Sequence, residues 1–479
     1  MRVRSMTEGK PIRLILAVAM PLMIGNIFQQ LYTVVDAQIV GQVEGVSALA
    51  ALGASDWFYW LWLGVIQGLA QGFAIPMAQA FGAEDYPRLR RCVGNAVLLA
   101  VAMGAVITLL SLLSIHPVLN LLGTPEAIRP MSVRYLIVLF SAFIIVMGYN
   151  LTAGILRALG DGRSPLYAMV VAAVVNIGLD LLFVAVFHWG VLGAAAATAI
   201  AQLCSFLFCL RQLRHIPFIR PGRSDLRPEA STCAELMRLG APIAAQNIMI
   251  AIGGMILQRI VNALGVVFIA GYTATNKLYG VLEIAAISYG YAMSTYAGQN
   301  LGAKQYERIR SGVRAAALTG VATAAVIAAA MFLFGRMIIA GFVSGTPEEV
   351  EGAIRIACEY LYVTSACLPI LYLLHIYRSA LQGMGNTVMP MASGIAEFVM
   401  RTGGALLLPG IIGYFGIFWA EVLAWVGADF ILLPSYFLGM RRLLRGGGNR
   451  AEGAAPGIPQ DSGSFNSAAV FALSGKYYN

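Results

Sequence analysis

The stretch AQAFGAEDYPRLRRCV, residues 78–93, returns as GQNLGAKQYERIRSGV at residues 298–313. Gln79/Gln299, Gly82/Gly302, Ala83/Ala303, Tyr86/Tyr306, Arg88/Arg308, Arg90/Arg310 and Val93/Val313 coincide at one constant shift. Other matches follow in the same order: MPLMIGN (20–26) with APIAAQN (241–247), GTPE (123–126) with its copy at 345–348, and LRALGDGRSP (156–165) with LQGMGNTVMP (381–390). So ordered a set reads as an internal duplication.

The duplicated material is made for lipid. Of 479 residues, 59% are hydrophobic and 11% charged, where a soluble chain carries about 25% charged residues. The mean hydropathy is +0.76. Too few charges are present to coat a water-soluble surface, so backbone polar groups must be satisfied inside helices within the bilayer. Disulfide-stapled, disordered and nucleic-acid-binding classes are excluded by the same figures. Spans of about 20 apolar residues can be placed at 12–40, 47–80, 92–114, 133–157, 165–187 and 191–211, then at 239–262, 266–298, 312–334, 355–380, 388–409 and 413–440. The fold expected is all-α and polytopic, with twelve transmembrane helices in two six-helix lobes, 12–211 and 239–440. A linker covers 212–238, a short N-terminus 1–11, and a disordered tail 441–479. An even number of spans per copy makes the repeats parallel, an arrangement that secondary transporters use to put a substrate site between halves.

The net charge of +9 gives orientation. Most of the Lys and Arg fall on one side: Arg2, Arg4, Lys10 and Arg13; Arg88, Arg90 and Arg91; Arg157 and Arg163; the linker arginines from Arg211 to Arg238; Lys304, Arg308, Arg310 and Arg314; Arg378; and Arg441, Arg442, Arg445, Arg450 and Lys476. The other side has only Arg129, Arg134, Arg336 and Arg355. Positive residues stay on the cytoplasmic side, so both termini are expected there. The basic start and first apolar run are read as a first span, with Met1 or Met6 as the start. Six cysteines without a CxxC pair read as small buried hydrophobes, and His116, His188, His215 and His375 lack zinc-ligand spacing.

Ionisable groups inside spans are costly and mark function. Asp36 lies in GNIFQQLYTVVDAQIVG, where Gln29 and Gln30 are further cavity candidates. Asn176 and Asp180 in VVNIGLD stand four residues apart on one helical face, where carbonyl and carboxylate oxygens would hold a hard cation or a proton. The second copy lacks these acids and has Glu283, Glu397 and Arg401. The spacing of Glu397 and Arg401 predicts an intramembrane ion pair. Trp57, Phe58, Tyr59, Trp60 and Trp62 form an aromatic cluster suited to a cation cavity or an interfacial belt.

Taken together, PLMIGNIFQQLYTVVDAQIVG, AQAFGAEDYPRLRR, LRALGDGRSP, VVNIGLD and WGVLGAAAATAIAQ resemble prokaryotic multidrug and toxic compound extrusion (MATE) transporters over residues 7–440. The resemblance implies two six-helix bundles around a V-shaped central cavity. It also implies an antiporter in the cytoplasmic (inner) membrane of a prokaryote that exports drug-like organic cations against H⁺ or Na⁺. With no catalytic Ser–His–Asp arrangement and no HExxH in the sequence, neither an enzyme nor a cofactor is expected, and the protein is expected to be monomeric. It assigns the cation site, possible Na⁺ included, to Asp36, Asn176, Asp180 and Thr198, and a helix hinge to Pro21. A lipid-linked precursor or polysaccharide flippase is the alternative, and would favour a broad cationic groove.

Overall fold

The computed structural model describes residues 4–222, 224–341 and 347–451. Arg2, Arg223, the first half of the second GTPE copy and the tail from 452, with Lys476, lie outside the described residues. The elements are α1 (Pro11–Val43), α2 (Val46–Gly82), α3 (Tyr86–Leu121), α4 (Arg129–Ser141), α5 (Phe143–Ala158), α6 (Arg163–Asp180), α7 (Val191–Arg214), α8 (Ala230–Asn262), α9 (Val266–Gly302), α10 (Tyr306–Ala340), α11 (Pro347–Gly383), α12 (Val388–Leu407), α13 (Pro409–Ile412) and α14 (Phe415–Ala451). A π-helical turn, Leu181–Val186, continues α6.

Ten of these helices are long and apolar enough to cross a membrane, and α4 with α5, bent by 46°, adds an eleventh. The twelfth rod is α9, whose 37 residues include Lys277, Glu283 and a series of tyrosines. Its polarity is tolerable because it lines the meeting of the two halves and builds much of the second lobe's core. Two boundaries shift from the sequence reading. Helix α14 runs on to Ala451, into the segment expected to be tail, and the linker contracts to 215–229 because α7 and α8 extend into it.

The repeated loop has the same backbone in both copies, with Glu84 (φ 57°) and Lys304 (φ 58°) left-handed at matching positions. Gly160 (φ 76°) and Gly385 (φ 85°) match likewise in the other repeated turn.

The duplication is also written into the contacts between the lobes. Gln79 Nε2 of α2 donates to the Gly383 carbonyl of α11 (3.0 Å); its counterpart Gln299 donates to the Ala158 carbonyl of α5 (2.7 Å). Asn26 of α1 donates to Ser288 Oγ of α9 (3.3 Å), and its counterpart Asn247 of α8 donates to the Gly64 carbonyl of α2 (2.8 Å). Gln71 of α2 bonds Gln382 of α11 (2.9 Å), while at the matching positions Arg157 of α5 lies over the Tyr291 ring of α9 (4.6 Å). Each lobe therefore holds the other through largely matching positions, the partners of Asn26 and Asn247 differing by one helical turn, as near-parallel repeats about one axis would give.

A strap from the N-terminus reinforces this seam on the basic side. Arg4 N donates to the Leu159 carbonyl of the first lobe (3.2 Å). Met6, fully buried, donates its N–H to Gln299 Oε1 (2.7 Å) and accepts from Asn300 Nδ2 (3.1 Å). Arg308 donates to the Gly9 carbonyl (3.0 Å).

Candidate functional site

Asp36, Asn176 and Asp180 are all buried in the first lobe, brought together by the packing of α1 on α6 and of α6 on α7. Asn176 Nδ2 donates to Thr198 Oγ1 at 3.4 Å. The structure thus joins the residues named from sequence. Four oxygens of this group, Asp36 Oδ1, Asn176 Oδ1 and both of Asp180, lack a hydrogen-bond partner. A buried carboxylate without donors is unstable as a bare anion, so the donor set fits a proton or a small hard cation. Among the described residues no three or more His, Cys, Asp or Glu gather as a metal cluster, so any bound ion would depend on the Asn and Thr oxygens. The π-helical turn begins directly after Asp180, the kind of local irregularity that often marks functional positions.

Gln29 lines a small adjoining cavity with Tyr32, Tyr149, Met169, Gln202 and Ser205. Gln30 faces the other lobe, its amide 3.7 Å from where a Cβ on Gly280 would sit. Pro21 is interior to an α1 that runs unbroken past it.

Between the lobes lies a cleft whose walls can be read from helical spacing. On α2 the face Gly64, Gly68, Gly72 packs directly on Asn247, Ala244 and Gly240 of α8. The same face continues upward to Trp60, Trp57 and Gly53, with Asp56 on its flank, where it is exposed. On α9 the face Gly298, Tyr291, Ser288, Gly280 meets Ala78, Arg157, Asn26 and Gln30 and continues to an exposed Lys277. The lobes are therefore sealed from the basic loops up to Trp57, whose ring packs on Gly254 of α8, and beyond it a Cβ on Gly53 would have no neighbour within 4 Å. The aromatic cluster divides accordingly: Trp60 is exposed and Trp57 reaches Gly254 of α8, while inside the lobe Phe58 meets Phe140 edge-on and Tyr59 stacks on Phe143.

The second lobe corrects the sequence reading. Glu397 and Arg401 do not pair with each other. Glu397 pairs with Arg378 of α11, and Arg401 forms a bidentate pair with Glu421 of α14, at 2.8 and 2.9 Å. Residues four apart on a helix share a face, but here each side chain reaches to a different neighbouring helix. Arg378, counted from sequence among the basic-loop residues, is in fact buried in α11. Glu283 sits beside His375 (3.4 Å) as a helix-to-helix contact.

Sequence reasoning missed Asp56, Glu421 and Asp429. Asp56 lies within electrostatic reach of both Asp36 and Lys277. Its signal was an acid at the head of the aromatic cluster, ten residues into a span. Tyr135, within electrostatic reach of Asp36, Asp56 and Asp180, was missed too, because a tyrosine near a span end reads as an interfacial anchor.

Comparison with known proteins agrees with this architecture. The family model MatE matches residues 21–182 and again 242–407, once per lobe. A protein described as probable multidrug resistance protein YoeA of Bacillus subtilis is 28% identical over 410 residues, covering 84% of this chain and 83% of that protein. Among solved structures, a MOP superfamily transporter from Pyrococcus furiosus, described as having a binding pocket of reverse polarity, superposes with a TM-score of 0.86 at 22% identity, covering 92% of this chain and 98% of that one. An outward-facing multidrug resistance MATE transporter superposes at 0.85 with 21% identity and the same coverage. The chain belongs to the MatE family of multi-pass membrane transporters.

Proposed function

We propose that this protein exports organic, mostly cationic amphipathic compounds by antiport with H⁺ or Na⁺, working as a monomer in the cytoplasmic membrane with both termini inside. The observation that carries the reading is the set of partnerless oxygens on Asp36, Asn176 and Asp180, next to a cleft sealed towards the basic loops. A proton or Na⁺ entering this set would neutralise the buried carboxylates. That neutralisation lets α1 bend at Pro21, where the missing N–H leaves the helix short of one hydrogen bond. Bending would narrow the first lobe's side of the cleft and expel its cargo. The relatives' descriptions as multidrug resistance and multidrug export proteins support the substrate class.

The flippase alternative calls for a broad cationic groove with several central arginines. Of the cations within spans, Arg259, Lys277 and Arg401, the last is neutralised by Glu421, as Arg378 is by Glu397, which leaves few charges for such a groove. The test is drug efflux from proteoliposomes driven by a pH gradient alone and then by a Na⁺ gradient alone, with Asp36→Asn and Asp180→Asn beside the unaltered protein. Both substitutions should abolish coupled efflux while the protein stays in the membrane. Undiminished efflux in either would refute the assignment.

A further inference from the structure

The contacts that seal the lobes repeat from one half to the other, but the cleft above them does not. Asp56 stands beside the head of the cleft-facing stripe of α2, and Lys277 heads the corresponding stripe of α9. At the matching positions the partner lobes have Asn276 and Trp57. Both charged residues are exposed, and among the described residues neither forms an ion pair within 4.0 Å. The face that carries Gly64, Gly68 and Gly72 onto α8 continues to Trp57, whose ring packs on Gly254, and leaves Asp56 on the flank of α2, about 80° round from Gly64. The spacing that carries Ser288 and Gly280 onto α1 aims Lys277 towards the first lobe. Lys277 lies within electrostatic reach of Asp56. The two helices therefore carry opposite charges that do not pair within 4.0 Å, with the exposed Trp57 and Trp60 beside Asp56.

We propose that Asp56 and Lys277 form a dipolar binding subsite that selects amphipathic zwitterions, a cationic end towards Asp56 and a carboxylate towards Lys277. This rests on the efflux reading above and refines its substrate class. A purely cationic ligand meets Asp56 but is repelled by Lys277. A zwitterion with an aromatic body satisfies both charges, and Trp57 and Trp60 offer it a stacking surface. The arrangement also delivers the cationic end next to the coupling chamber, because Asp56 lies within electrostatic reach of Asp36. A ligand cation there disfavours a second positive charge at Asp36, so cargo and coupling ion exclude each other, as antiport demands.

The test uses rhodamine B, a xanthylium cation with a free carboxylate, and its ethyl ester, which keeps the cation and the aromatic body but loses the anion. Transport of both is measured in proteoliposomes. The unaltered protein should take rhodamine B at the lower KM. Lys277→Met should raise the KM for rhodamine B about tenfold, the size of one lost charge-assisted contact, and should lower that for the ester. Lys277→Arg should keep the original preference, and Asp56→Asn should raise both KM values. If Lys277→Met shifts both dyes in the same direction, or Lys277→Arg behaves like it, Lys277 is a gate or a structural residue and the proposal fails. A preference of the unaltered protein for the ester overturns it as well. Failure to move either dye under any gradient would count against the efflux reading itself.

Discussion

Gly72→Ala tests whether the α2–α8 seam is a closure that opens during transport. A Cβ at Gly72 would sit 2.3 Å from Gly240 Cα, 2.5 Å from its N and 2.8 Å from the Leu239 carbonyl carbon. All three obstacles are backbone, so no side chain can swing aside. Restoring an ordinary carbon contact of about 3.5 Å requires the two helices to part by about 1 Å. Gly68, one turn away, is apposed almost as tightly, since a Cβ there would sit 2.6 Å from Ala244 Cα, so the separation loosens the seam over at least two turns. Overpacking of this kind costs about 1–3 kcal/mol. That cost falls only on the conformation in which the seam is closed, so the population with the basic side open should rise about 5- to 150-fold. Spin labels at Arg91→Cys and Ser311→Cys, exposed on opposite lobes at matching positions of the repeated loop, would report the change as a longer-distance population in pulsed dipolar spectra, in a background with the native cysteines replaced. An unchanged distance distribution with undiminished transport would refute the idea that this seam is the moving closure.

Other consequences follow from the same contacts. Arg401→Met leaves Glu421 buried without its partner and should cost about 3–5 kcal/mol, whereas Arg401→Met with Glu421→Met should cost much less; thermal unfolding of the purified protein decides, and a double variant as unstable as the single one would contradict the pairing. Gly160→Ala adds a Cβ 2.2 Å from the Arg4 carbonyl oxygen at a left-handed backbone position, so it should free the N-terminal strap, read as faster hydrogen exchange over residues 4–9 with a lowered Tm. Glu229, at the start of α8, accepts from Thr232 Oγ1 (2.9 Å) and Ser231 Oγ (3.0 Å), and these hydroxyls hold its carboxyl below the ordinary Glu range. A lowered folded value means stability present above the unfolded value and lost as pH falls through the folded one. The Tm deficit of Glu229→Gln should therefore be small at neutral pH, begin to shrink as pH falls below about 4 and vanish below the lowered folded value; a deficit that persists in strong acid would show that the cap acts without its charge.

The architecture was legible because lipid leaves few ways to satisfy a backbone, and because Gln79, Gly82 and Tyr86 recur so plainly as Gln299, Gly302 and Tyr306. Asp36, Asn176 and Asp180 stood out as polar residues in apolar runs, and the structure brings them together. Pairing was not legible. The spacing of Glu397 and Arg401 fixes their positions on α12, but which neighbour each reaches depends on how α11 and α14 pack against that helix. Arg378 had the spacing of a loop marker because the span it occupies ends only five residues later, at Gly383. Asp56 was masked by its aromatic neighbours, which suit a lipid interface as well as a cavity.

The strap that ties Met6 to Gln299 and Asn300 also bears on how the molecule is made. These residues leave the ribosome long before the groups that satisfy them, which come 293 and 294 positions later. Until α9 is in place, the Met6 amide and carbonyl have neither partner, and ring closure over such a separation is slow. Docking of the strap is thus a late event of biogenesis, possible only once both halves are inserted and in contact. The chain's beginning is sealed by its middle, so a half-built transporter leaves its own N-terminus loose.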